Sequence, residues 1–237
     1  MARKGKLEER RIRDQEERPI RWRRYQYLIL IVCEDEKSEP YYFRGFINEF
    51  PKETVFLREV GTGRSSVGVV ERAIGERMRL AEDSRKEVDE TWAIFDKDDA
   101  QLVPANAARF VGAFALAEEE NIKVAYSNEV FELWILLHFT GVSVYNPISR
   151  DEIYAQLQAN VRALPGHETF VYVHQDADTE VIDILRLRGS ESAAITRAEA
   201  MDEYHHALGH QPIDANPNTT VYTLVRHLRE LIAYYHQ

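Results

Sequence analysis

Two stretches decide the fold: Leu28–Ile29–Leu30–Ile31–Val32–Cys33–Glu34 and, well downstream, Ala93–Ile94–Phe95–Asp96–Lys97–Asp98. Each is a short, wholly apolar run that stops on a carboxylate. Such runs read as strands buried on both faces, as in a parallel sheet with helices on either side. In open α/β sheets ligands gather beyond the carboxyl ends of the strands, where these acids fall. Three carboxylates meeting at one sheet edge repel one another and stay ionised only around a cation. An all-oxygen ligand set favours Mg²⁺ or Mn²⁺, with phosphate oxygens of a substrate completing the shell. The expectation is a metal-dependent phosphoryl-transfer site.

Working outward, strands and helices alternate as a parallel sheet with crossover helices requires. Strands are expected over Tyr25–Cys33, Thr54–Val60, Thr91–Phe95 and Ile122–Tyr126. The helices between and after them fall over Glu39–Phe50, Ser66 to about Arg85, Pro104–Glu119 and Val130–Phe139. Pro40 suits the first turn of the first helix. Beyond Gly141 the pattern turns mainly helical, over Ser149–Ala163, Thr179–Arg188, Ser192–Leu208 and Thr219–His236, with strand character only in Phe170–His174. The division expected is a basic arm over 1–24, an α/β core over 25–140 and a mainly helical extension over 141–237.

The 237 residues carry a net charge of −10, and the distribution is uneven. Residues 1–24 hold ten Arg or Lys against five Asp or Glu, which leaves −15 for the rest. An acidic body binds nucleic acid poorly without help, because phosphate neutralisation supplies most of that affinity. Contact with a nucleic acid must then use the arm (Arg21, Arg23 and Arg24 around Trp22), a local basic patch or a bound metal. The single cysteine, Cys33, excludes a disulfide framework, and a reducing cytoplasm is expected. No apolar stretch approaches the roughly 20 residues that span a bilayer, and no signal core opens the chain.

Residues i and i+2 of a strand point the same way, so Asp96 and Asp98 can aim at one metal while Lys97 turns aside. Acids at strand ends also solvate an edge or cap a helix, and Asp98 or Asp99 can do so here. Glu36, two residues beyond Glu34, is a candidate accessory ligand. Asp35 and Glu39 suit the start of a helix, and Lys37 is a candidate phosphate contact. Gly61–Thr62–Gly63–Arg64–Ser65–Ser66 precedes a helix. Gly63, Arg64 and Ser65 there can cradle a substrate phosphate or simply form a turn with Ser65 as N-cap, and without a Walker lysine this is no nucleotide P-loop. Glu132, in an otherwise apolar helix, needs a partner if buried. It can orient an arginine, accept backbone N–H groups or complete the metal site. His138 reads as a core histidine. His174, Asp176 and Asp178 look similar to a hydrolytic cluster but, lying in the extension, read as loop residues, and Asn216–Pro217–Asn218–Thr219–Thr220 reads as a turn and N-cap.

Val32–Cys33–Glu34–Asp35–Glu36–Lys37–Ser38–Glu39–Pro40–Tyr41–Tyr42–Phe43 resembles the opening motif of the RloB-like proteins. Phe95–Asp96–Lys97–Asp98, Ser127–Asn128–Glu129–Val130–Phe131–Glu132–Leu133–Trp134 and Asn216–Pro217–Asn218–Thr219 follow in that family's order. The resemblance implies a Toprim-like core, a role in bacterial anti-phage defence and an AAA-type ATPase encoded nearby as partner. By resemblance to Toprim enzymes, Glu34, Asp96 and Asp98 are the catalytic and metal-binding acids. Asp96 and Asp98 hold Mg²⁺, and Glu34 holds a second metal or acts as general acid/base. Where the family usually has Gly after the first acid, this chain has Asp35, which either crowds the metal or adds a ligand.

The function expected is a Mg²⁺-dependent Toprim-type nuclease acting on DNA or RNA, tRNA included. The alternative is a non-catalytic Toprim-fold subunit of an ATPase-containing defence complex. The partners implied are a nucleic acid, the ATPase and, in a homo-oligomer, further copies of the chain, with no membrane. A haloacid-dehalogenase-type phosphatase carries its Asp-x-Asp after the first strand. A sugar-nucleotide transferase leaves Glu34 unexplained. Neither fits as well.

Overall fold

The structure, a computed structural model, describes residues 25–98, 100–174 and 178–237. The apolar runs become β1 (Tyr27–Cys33), β2 (Val55–Gly61), β3 (Glu90–Asp96) and β4 (Lys123–Asn128), which run parallel. A two-residue β5 (Asn218–Thr219) joins β4 antiparallel, giving the strand order β2-β1-β3-β4-β5. Eight helices among the described residues flank this sheet: α1 (Ser38–Ile47), α2 (Ser66–Ser84), α3 (Pro104–Glu119), α4 (Glu132–Leu137), α5 (Arg150–Arg162), α6 (Asp178–Arg188), α7 (Glu191–Ala207) and α8 (Val221–Tyr235). The molecule is therefore the expected α/β fold, a mainly parallel sheet with helices predominating at its C-terminal end. No helix among the described residues is long and apolar enough to cross a membrane.

Strand alternation divides the core in two. Ile29, Ile31, Cys33, Trp92, Ile94 and Ala125 face α1, α4 and the later helices. Leu30, Val32, Ala93, Phe95 and Tyr126 face α2 and α3, meeting Val69, Val70, Ala73, Phe110 and Ala113. Leu28 to Cys33 are wholly shielded from solvent, as the unbroken apolar run required. Helix α4 is buried on every side, Glu132 included.

Residue 141 marks a change of element type and not a break in packing. One apolar cluster contains β1 and β3 residues together with Leu157 of α5, Ile182 of α6, Ala198 of α7 and Leu224 of α8. Two local expectations are corrected. Phe170–His174 is not a strand, although its burial alternates, with Phe170 and Tyr172 inside and Val171 and Val173 outside. Its backbone groups meet side chains of α5 rather than a neighbouring strand: Gln158 Oε1 accepts from Tyr172 N at 3.0 Å, and Arg162 Nε donates to Phe170 O at 2.6 Å. The Asn216–Thr220 segment is more than a turn. Its cis Asn216–Pro217 bond leads directly into β5, paired with Ser127 and Asn128. Neither of those two side chains caps α4, since Ser127 Oγ meets Thr219 Oγ1 at 3.0 Å and Asn128 Nδ2 donates to Pro212 O at 3.3 Å.

Candidate active site

The carboxyl ends of β1 and β3 lie side by side, which carries Glu34 to the end of β3. Glu34 N donates to Ile94 O at 2.9 Å, and Glu34 Oε2 accepts from Asp96 N at 2.9 Å. Asp96 ends β3, and its Oδ2 accepts from Phe131 N at 2.8 Å, just before α4. Its other oxygen, Oδ1, is shielded from solvent and has no hydrogen-bond partner. A buried carboxylate oxygen left in that state calls for a cation or a proton.

Beyond Asp96 the strand rule no longer applies. Asp98 has φ +51°, in the left-handed region, and its N–H donates to Glu129 O at 2.9 Å. It reaches the cleft through a turn, where its Oδ1 meets Arg150 Nη2 at 2.7 Å. Lys97 turns aside as expected. Its buried Nζ pairs with Glu129 Oε1 at 2.8 Å, and Asn216 Nδ2 donates to the same oxygen at 3.0 Å. Asp99 and Asp176 lie outside the described residues, as does the arm over 1–24 with Arg21, Trp22, Arg23 and Arg24.

The loop after β1 answers the question raised by Asp35. Its carboxylate folds back on its own chain, accepting from Glu36 N at 2.6 Å, from Ser38 N at 2.9 Å and from Ser38 Oγ. It thus holds the start of α1. Burial pushes Asp35 up, but the Ser38 and Glu36 donors outweigh it and leave its pKa below the usual carboxylate range. Glu39, in the first turn of α1, accepts from Asp35 N at 3.0 Å. The end of β2 must come close here: a Cβ on Gly61 would stand 2.5 Å from Glu36 Cα, so only glycine fits.

Glu34, Asp96 and Asp98 line one cleft of about 330 Å³, together with Asp35, Gly63, Arg64, Ser65, Val130, Arg150, Tyr154 and His174. A second hollow of about 110 Å³ shares the same acids and adds Ser66, Asn106 and Arg109. Gly63 takes φ +58° and donates its N–H to Glu34 O at 2.8 Å, which ties the Gly-rich loop to the acids. Ser65 occupies the N-cap position of α2 without a side-chain cap bond. Lys37 and Glu36 are exposed and stand outside the cleft lining. Glu132 is engaged elsewhere: its Oε1 accepts from Tyr172 Oη and lies 3.2 Å from His174 Nδ1.

The acids crowd one another. Burial first, then the charges of Asp98 and Asp35, push Glu34 up to about 8, against a lowering bond from Asp96 N. Burial, followed by Glu39, Asp98 and Glu34, raises Asp96 well above its ordinary value. Glu39 is raised in the same way, by burial and then by Glu34. Such a group keeps its full negative charge only if positive charge enters it. In donor chemistry the residues fit a hard divalent ion: every ligand is an oxygen, and one is an orphan. Among the described residues, no three Asp, Glu, His or Cys groups stand as a finished metal shell, and Asp98 is already held by Arg150.

Arg150 and Tyr154 were not legible as site residues, because only the packing of the later helices brings them to the sheet edge, and His174, read as a loop residue despite its likeness to part of a hydrolytic cluster, lines the cleft as well. His138 is the core histidine expected, with Nδ1 2.9 Å from Trp134 O, and burial lowers its pKa to about 4. Arg226 and His227 engage Glu199 and Glu90 at 2.7 and 2.8 Å, away from the cleft.

The comparisons with known proteins agree with this order of motifs. The model of the RloB-like protein family matches residues 29–228. No curated protein and no solved structure matches the chain. From its apolar strand ends to the segment that closes the sheet edge, the chain belongs to the RloB-like protein family.

Proposed function

We propose that the protein is a Mg²⁺- or Mn²⁺-dependent nuclease with a Toprim-type acid cluster, hydrolysing phosphodiesters of DNA or RNA, tRNA included. The observation that carries this reading is the gathering of Glu34, Asp96 and Asp98 on one cleft, with a buried Asp96 oxygen lacking any partner. Glu34, Asp96 and Asp98 are the residues that would hold the ion, which when bound acidifies water and polarises a phosphoryl group. Asp96 is oriented by Phe131 N, and Glu34 by Asp96 N, so both carboxylates are aimed before anything binds. Gly63, Arg64 and Ser65 border the acids, and a guanidinium there suits a phosphate oxygen. Following the family's known setting, the activity would serve anti-phage defence in the cytoplasm beside an AAA-type ATPase.

A second reading, a non-catalytic subunit docking on that ATPase, is favoured by one observation. The Arg150 guanidinium already balances Asp98, as a cation would. The two readings separate on incubation of the full chain with mixed DNA and RNA in Mg²⁺, in Mn²⁺ and in chelator. Cleavage that needs the metal, and that falls by about 100-fold or more in Asp96→Asn, is expected. Intact nucleic acid in every condition, with defence activity unchanged in Asp96→Asn, would establish the subunit reading instead.

A further inference from the structure

The acidic body keeps a concentrated patch of positive charge, and the patch begins at the cleft. Helix α2 carries Gly68, Arg72, Gly75, Glu76 and Arg79 on one face, since these positions recur at three- and four-residue intervals. β2 is the edge strand of the sheet, and its Phe56 and Val60 pack toward α2, so Arg58 between them points the same way. Three guanidiniums meet there on one carboxylate. The buried Glu76 accepts through Oε1 from Arg72 Nη2 at 2.6 Å and from Arg79 Nη1 at 3.0 Å, and Arg58 Nη2 stands 3.3 Å from its Oε2. A single arginine would balance Glu76. Two positive charges are therefore in surplus, on Arg58, Arg72 and Arg79 side chains that stay 30 %, 37 % and 60 % exposed.

Arg64 joins this patch to the acids. It lines the cleft, and its side chain runs along Gly68, where an added Cβ would stand 3.1 Å from Arg64 Cβ and 3.5 Å from Cδ. From Gly68 to Arg79 the helix rises about 16 Å, over which one strand of a duplex passes about five phosphates. Gly75 lies between Arg72 and Arg79, and a Cβ there would meet nothing within 4 Å. A glycine inside a helix weakens it, but here it opens the space between two guanidiniums to close approach. Glu71 lies about 100° around the helix from Arg72, and Glu82 and Asp83 end the positive run beyond Arg79. From this arrangement we infer that Arg64, Arg58, Arg72 and Arg79 seat the phosphate backbone of a nucleic-acid duplex that extends from the cleft along α2. The ligand is that of the nuclease reading above, on which this rests; the surface and the paired form are new. Guanidiniums already fixed by Glu76 offer their remaining donors to phosphate oxygens with little side-chain freedom left to lose. Single-strand binding uses rings on which unstacked bases rest, and the stripe has none, so contacts to a paired backbone suit it.

Fluorescence anisotropy of the full chain tests this, with short labelled duplexes of DNA and of RNA and their single strands, in chelator and over a range of salt. The double variant Arg72→Gln/Arg79→Gln should bind duplex about 10-fold more weakly or worse. Its plot of log affinity against log salt should be shallower by about 1.8, for two lost phosphate contacts. Gly75→Glu leaves the three partners of Glu76 in place and should weaken duplex binding as well. Arg44→Gln removes a charge that pairs with Glu59 on the α1 side of β2, and should change neither affinity nor slope. Circular dichroism melting checks that the variants fold, and Gly75→Glu decides if the double variant does not. Duplex affinity and slope at wild-type values in the stripe variants would overturn the assignment. So would a loss confined to single strands, or a wild type that binds no duplex, which would leave the patch to an acidic protein. Cleavage in Mg²⁺ or Mn²⁺ is scored apart. A wild type that cuts while the stripe variants bind normally keeps the nuclease reading and loses the stripe; one that binds through the stripe and cuts nothing does the reverse.

Discussion

Lys97 and Glu129 form the most enclosed ion pair next to the acids, with side-chain exposures of 3 % and 7 %. Burying two charges is tolerable only while each has the other, so removing one strands its partner. Lys97→Met should therefore cost about 3–5 kcal/mol, read as a lowered midpoint in urea denaturation. A loss below about 1 kcal/mol would mean that Glu129 finds water or another donor once Lys97 is gone. At this scale the strand-end acids were legible, because a carboxylate closing an apolar run has few other places to go. The turn at Asp98 was not, since a left-handed residue other than Gly or Asn leaves little trace in sequence. The engagement of Asp35 by Ser38 was within reach, being a local Asx pattern at a helix start. The pairing of Glu132 with Tyr172 and His174 spans about forty residues of chain and had no local signal.

Among the elements, α5 has the clearest start. Ser149 and Glu152 complete a reciprocal capping box, with Ser149 Oγ accepting from Glu152 N at 3.3 Å and Glu152 Oε2 accepting from Ser149 N at 2.8 Å. That turn also carries Arg150 and, one turn on, Tyr154 into the cleft. Ser149→Ala should lower stability by about 1 kcal/mol and loosen Arg150 from Asp98. Calorimetry checks the first effect; an unchanged melting temperature would mean that tertiary packing alone fixes the start of α5. Elements with a strong period were legible within a few residues, α3 over Pro104–Glu119 among them. Phe170–His174 misled because alternating burial is the signature of a strand face, whereas a ladder also needs a partner that only the fold can supply. β5 escaped notice because two residues are too short for any pattern.

For the molecule as a whole, the crowded acids set a pH dependence. Glu34 ordinarily titrates near 4.5 and is pushed up to about 8 in the fold, by burial and then by Asp98 and Asp35. Between those values the folded state binds more protons than the unfolded chain, so stability falls as pH rises through that window. In chelator, the melting temperature should drop by several degrees, about 2–4 °C per kcal/mol, from pH 5 to pH 8.5. Mg²⁺ should restore most of the loss at the alkaline end and little at pH 5. Calorimetric melting temperatures that stay level, or climb, across that range in chelator would refute this. The sheet and its two faces were legible from composition and period, but the unity of the core was not. The helices after residue 141 read as an appendage because their apolar positions carry no address, and only the structure joins Leu157, Ala198 and Leu224 to β1 and β3.

Asn216 reaches back to Glu129 from 87 residues further along the chain, and β5 pairs with β4 beside it. During translation the three acids therefore emerge from the ribosome long before the segment that fastens the floor beneath them. On the nuclease reading, a nascent copy carries the chemical groups without the clamp that steadies them, so the cell meets a finished enzyme only after Asn216 and β5 have been made.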